Sequence, residues 1–98
     1  MMLNFSELEQ LLGAYFHQDW DLDHPDADSV IRFYKQDVGR EAISALKQQI
    51  LYLINSESTD DELQGLLFEK MGCCYYYPSE WESSKEWLQH IVTILDEN

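Results

Sequence analysis

Apolar residues recur at intervals of three and four along most of this chain, and capping residues interrupt them, so the backbone is committed to short helices. Leu8, Leu11, Leu12, Tyr15 and Phe16 form the first such stripe, ending near His17, and Ser6 with Glu9 reads as a capping box at its start. Asp26 or Asp28 can cap a second helix through Val30, Ile31, Phe33 and Tyr34, which Val38-Gly39 breaks. A longer helix is expected from about Arg40, with Ile43, Leu46, Ile50, Leu53 and Ile54 on one face. Polar residues 55–58 stop it. Thr59 with Glu62 forms another capping box ahead of Leu63, Leu66, Leu67 and Met71, and Gly72 is a helix stop. Ser83 with Glu86 opens the last helix, whose Trp87, Leu88, Ile91, Val92 and Leu95 face inward. Residues 18–27 and 73–82 read as loops. Tyr75-Tyr76-Tyr77 has strand propensity but is short and isolated. The expected fold is all-α: a compact single domain over residues 1–98, with five short helices and two acidic-aromatic loops.

Charge narrows the partners. The 98 residues carry 19 Asp and Glu against 6 Lys and Arg, a formal net charge of −13. Asp19, Asp21, Asp23, Asp26 and Asp28 crowd around Trp20; Glu57, Asp60, Asp61 and Glu62 form a second cluster, and Glu80, Glu82 and Glu86 a third. Such a chain repels phosphate backbones and anionic lipid, so neither nucleic acid nor membrane is an expected partner. It attracts basic proteins and speeds their encounter. With 45% hydrophobic and 13% aromatic residues, it has the material for a core despite its self-repulsion. No stretch is apolar enough to span a bilayer, and the N-terminal residues do not read as a signal peptide. A cytoplasmic location is expected, with Cys73 and Cys74, which are adjacent, as free thiols.

Catalytic and metal chemistry find little support. Asp19-x-Asp21-x-Asp23 resembles the start of a calcium loop, but the sixth and twelfth positions hold His24 and Val30 where Gly and Glu are required, and Pro25 occupies the seventh. His17 and His24 lack a paired helical spacing for a transition metal. Cys73 or Cys74 with His17 or His90 would make a nucleophile and base, yet nothing in the spacing brings them together. There is no glycine-rich phosphate loop and no Gly-x-Ser-x-Gly elbow. No enzyme activity, no cofactor and no metal are expected.

The aromatic residues divide. Tyr15, Phe16, Phe33, Tyr34, Phe68 and Trp87 lie on helical stripes and are expected in the core. Trp20, Tyr75, Tyr76, Tyr77 and Trp81 lie in the loops, with Trp20 expected to pack down onto the helix before it. Loop aromatics flanked by acids have the character of interface anchors. The candidate partner-binding set is therefore Asp19, Asp21, Asp23, Asp26, Tyr76, Tyr77, Glu80, Trp81 and Glu82.

Three motifs carry a resemblance. Ala14-Tyr15-Phe16-His17-Gln18-Asp19-Trp20, Gly72-Cys73-x-Tyr75-Tyr76-x-Pro78 and Glu86-Trp87-Leu88, in this order between about Leu8 and Leu95, resemble small immunity proteins of bacterial contact-dependent growth inhibition systems. The resemblance implies a non-enzymatic inhibitor. It would bind, one to one, the C-terminal toxin domain of a surface-displayed effector that has entered a sibling cell. Many such toxins are nucleases, which need basic surfaces, and a chain of this charge suits one. An acidic adaptor or nucleic-acid mimic acting on a basic host enzyme is the alternative reading, and a small metal-dependent hydrolase using Asp and His is a third.

Overall fold

The structure is a computed structural model that describes residues 5–97. Its helices are α1 (Ser6–Glu9), which runs on as a π-helical segment Gln10–Tyr15, then α2 (Trp20–Asp23), α3 (Ala27–Asp37) and α4 (Arg40–Ile54). α5 (Asp60–Gly65) continues as a second π-helical segment, Leu66–Lys70; a 3₁₀ turn, Tyr77–Ser79, precedes α6 (Ser84–Leu95). The described residues contain no strand, so the all-α expectation holds. The count is six helices rather than five, because the turn Trp20–Asp23 is helical inside the segment expected to be a loop.

The local signals place most boundaries. The Asp26 carboxylate accepts the Ser29 N–H at 2.8 Å, capping α3. Thr59 and Glu62 form a complete capping box on α5, and Ser83 Oγ accepts the Glu86 N–H at 3.1 Å on α6. Gly72 has φ +72°, the left-handed conformation that ends a helix without a Cβ clash. α1 departs from the expected capping box. Phe5 holds its capping position, and the Leu8 N–H instead donates to Oε1 of Gln49, buried on α4, at 3.0 Å. A side chain 41 residues away satisfies a donor that the first turn leaves open.

α6 is the central element, packing on α4, α3, α5 and the 3₁₀ turn, while α1 lies against α4. Its Trp87, Leu88, Ile91, Val92, Ile94 and Leu95 are all buried. They meet Leu8, Leu11, Leu12 and Phe16 from the first helix, Val30, Ile31 and Tyr34 from α3, and Leu46, Ile50 and Leu53 from α4. The two π-helical segments end beside each other. A Cβ on Gly13 would lie 3.0 Å from the Met71 carbonyl oxygen, and the Cys74 N–H donates to the Phe16 carbonyl at 3.2 Å. Glycine at position 13 is what permits that backbone approach.

After Gly72 burial alternates along the chain. Cys73, Tyr75 and Tyr77 are buried, whereas Cys74 and Tyr76 are exposed. Tyr77, expected at the partner surface, is 0% exposed. Its ring stacks on Trp87 with centroids 4.7 Å apart, and its hydroxyl shares a 2.6 Å hydrogen bond with Ser84 Oγ. Burial pushes its phenol up to about 12. Tyr77 is a core residue because its ring stacks on both Trp87 and Phe68. Phe33 errs the other way: it lies on a helical stripe yet is 46% exposed.

Trp87→Ala and Tyr77→Ala should each lower the unfolding free energy by roughly 3–5 kcal/mol, since each empties a packed aromatic site. Urea melts check both. A Tyr77→Ala protein as stable as the unmodified one would return this ring to the surface.

Candidate functional site

Trp20 makes the structural link between the two loops singled out in the sequence. Its half-buried ring packs edge-on against Phe16 at 5.6 Å and against Tyr75 at 5.4 Å, centroid to centroid. The single turn of α2 is thereby pinned by its first residue, and Asp21, Leu22 and Asp23 are left exposed. His17 braces the same turn from both ends. Its Nδ1 accepts the Asp19 N–H at 3.0 Å, and its Nε2 lies 3.6 Å from Asp23 Oδ2.

The second loop closes on the same region from the side. The Tyr75 hydroxyl donates to Glu80 Oε2 at 2.7 Å, and the half-buried Trp81 ring lies over His90 at 4.6 Å. His90 Nε2 is 2.9 Å from Asp28 Oδ1 on α3. Burial, followed by the neighbouring Glu80 carboxylate, pushes the Tyr75 phenol well above its ordinary range. Trp20, Tyr75, Glu80, Trp81, His90 and Asp28 are thus linked by direct contacts.

The candidate residues sort by position. Asp19, Asp21, Asp23, Glu80 and Glu82 are exposed. Asp26 is exposed but engaged as the α3 cap, and the Ser29 N–H holds its carboxyl below the usual carboxylate range. Tyr76 is 64% exposed and stacks on Phe68, away from its inward-facing neighbours Tyr75 and Tyr77. Tyr77 is excluded from any surface by its burial. Two exposed apolar residues outside the candidate set stand out: Leu22, 81% exposed between two aspartates, and Phe33, 46% exposed with its ring against His24. A leucine flanked by acids carries no helical period, so only its proximity to Asp21 and Asp23 in the sequence marked it.

The Cys73 thiol is shielded, whereas Cys74 is exposed. Cys73 is buried, its thiol donates to the Tyr75 carbonyl at 3.4 Å, and burial pushes it up to about 12. Among the described residues no three His, Cys, Asp or Glu side chains gather as a metal-binding group. No helix there is long and apolar enough to cross a membrane.

An acidic, pinned surface on an all-α scaffold can be compared with known proteins. A family model described as CdiI immunity protein matches residues 4–95. The chain belongs to the CdiI immunity protein family. A chain from the crystal structure of the CdiA-CT/CdiI complex of Y. kristensenii 33638 superposes with a TM-score of 0.90 at 40% identity, covering 94% of this chain and 98% of that one. No curated protein matches. The CdiI match takes in all three motifs that carry the resemblance, and their aromatic members hold the scaffold: Phe16, Tyr75 and Trp87 pack on one another at the centre of the structure.

The Asp26 cap makes a pH-dependent prediction. Its carboxyl is held low when folded, so its stabilisation is complete above the ordinary Asp value of about 3.9 and is lost as pH falls through the lower folded value. Asp26→Ala should therefore melt earlier than the unmodified protein at pH 7, and the gap should close below about pH 4. Thermal melts across that range check it.

Proposed function

We propose that this CdiI-family protein binds the C-terminal toxin domain of its cognate CdiA effector, one to one, and neutralises it by occupancy rather than by catalysis. The observation that carries this reading is the 40% identical chain found in a CdiA-CT/CdiI complex. The site acts in the cytoplasm, where an imported toxin meets its target. The toxin is a basic domain, and a nuclease suits best, because an enzyme that holds nucleic acid needs the cations that a −13 partner engages. Asp19, Asp21, Asp23, Glu80 and Glu82 supply exposed carboxylates, and Tyr76 and Trp81 supply aromatic contact at the second loop. No metal or cofactor takes part.

Electrostatic steering supports this reading. Exposed charges act over roughly 8–10 Å at physiological salt, so association should accelerate as ionic strength falls. Reversing Asp21 and Asp23 together should slow the on-rate more than it raises the off-rate.

Inhibition should be stoichiometric. With both proteins far above the dissociation constant, toxin activity should fall linearly with added protein and vanish near equivalence, with or without chelator. Cys73→Ala and Cys74→Ala should protect as well as the unmodified chain if they fold. Toxin titrations with a nuclease readout check this. Inactivation of excess toxin by a trace of this protein would overturn it.

A further inference from the structure

We propose that the α2 turn is the apolar anchor of the toxin interface. Leu22, with Phe33 of α3 as a second apolar contact, would enter an apolar site on the partner, flanked by Lys and Arg side chains that face Asp19, Asp21 and Asp23. The inference rests on the toxin-binding reading and assigns it a surface that neither the family nor the aromatic loop specifies.

Leu22 is 81% exposed, the most open large apolar side chain among the described residues. A single exposed leucine is ordinary. This one differs in how it is held and in what surrounds it. Trp20 anchors the turn in the aromatic core, and His17 contacts both Asp19 and Asp23. A preorganised turn loses little freedom on binding, so more of its contact energy appears as affinity.

Phe33 extends the apolar surface from a second element. It is 46% exposed, with its ring 5.3 Å from His24 and 6.0 Å from Tyr15. The Tyr15 hydroxyl donates to Asp37 at 2.5 Å, which fixes the base on which Phe33 rests. Phe33 thus sits against His24, the residue that ends α2.

Charge identifies the occupant. The first Lys or Arg in the sequence is Arg32. Four of the six basic residues are committed elsewhere: Arg32 to Glu97, Lys35 to the Ile94 and Glu97 carbonyls, Lys47 to Asp96 and Lys85 to the Ser56 carbonyl. Among the described residues, no Lys or Arg forms an ion pair with Asp19, Asp21 or Asp23. An exposed leucine between carboxylates that no Lys or Arg pairs with repels nucleic acid and anionic lipid and fits a basic protein.

The test uses the purified C-terminal domain of the cognate CdiA effector, with association and dissociation measured separately. Leu22→Ala should raise the dissociation constant about 10- to 100-fold, mainly through faster dissociation, as expected for unburying one leucine. Phe33→Ser should act in the same direction, and an Asp21→Asn, Asp23→Asn double variant should mainly slow association. Tyr52→Ala, which removes a 57% exposed ring on α4, should bind within about threefold of the unmodified protein and controls for loss of any exposed apolar group. Thermal melts confirm that each variant folds. Tight binding by the unmodified protein together with unchanged binding by Leu22→Ala and Phe33→Ser overturns this surface and leaves the immunity reading standing. Failure of the unmodified protein to bind overturns both.

Discussion

The packing of Trp87 among Phe16, Tyr75 and Tyr77 is the interaction on which the rest of the molecule depends. The indole stacks on Tyr77 at 4.7 Å and meets Phe16 and Tyr75 edge-on at 5.7 and 5.3 Å. These rings come from α6, the end of the first helix and the segment after Gly72, so one cluster ties together three parts of the chain. The core also bears a cost. Trp87 Nε1 is buried with no hydrogen-bond partner, and leaving such a donor unmet costs roughly 1–3 kcal/mol. Burial and stacking of the ring must outweigh that. The cluster reaches the surface through Tyr75, which holds Trp20, which in turn holds α2. The α2 turn is therefore only as well placed as the core beneath it.

Charge is segregated, and the helix termini explain where the cations go. Lys35 donates to the carbonyls of Ile94 and Glu97 at 2.8 and 2.6 Å, meeting orphan acceptors at the C-terminal end of α6, where the helix dipole favours a cation. Arg32 and Lys47 pair with Glu97 and Asp96 at the same end. Each exposed ion pair adds little stability, about 0–1 kcal/mol. Their larger effect is to leave the acidic α2 region without nearby compensation. The fold thus has a cation-rich end, used internally, and an acidic face open to a basic partner.

The N-terminus of α6 shows how the remaining polar groups are shared. The Asp60 carboxylate accepts the Ser84 N–H at 2.6 Å and the Gln64 amide at 2.8 Å, and these bonds hold its carboxyl below the usual range. An acid in the first turn of α5 thereby meets an open donor of α6. Ser84 also pairs through its hydroxyl with buried Tyr77. The second acidic cluster consequently has one member committed to holding helices together, whereas Asp21 and Asp23 at the first remain exposed.

Helical class, the limits of α3, α4 and α6, and the acidic character of the surface were legible in the sequence. Those features rest on local physics: an apolar period of three and four, a capping oxygen three residues from its donor, a glycine free to take positive φ. Net charge is additive and needs no coordinates. Burial of a particular ring is not local. Tyr77 is core and Phe33 is surface because tertiary packing brings Trp87 to one and leaves the other facing outward, and neither outcome follows from spacing. The alternation of residues 73–77 was a signal for the buried tyrosines, but its direction depended on which face met the core. Gln49 capping Leu8 and Trp20 lodging against Tyr75 join positions 41 and 55 residues apart. Only the tertiary structure sets such pairs, because burial and hydrogen-bond satisfaction are decided by whichever element packs alongside.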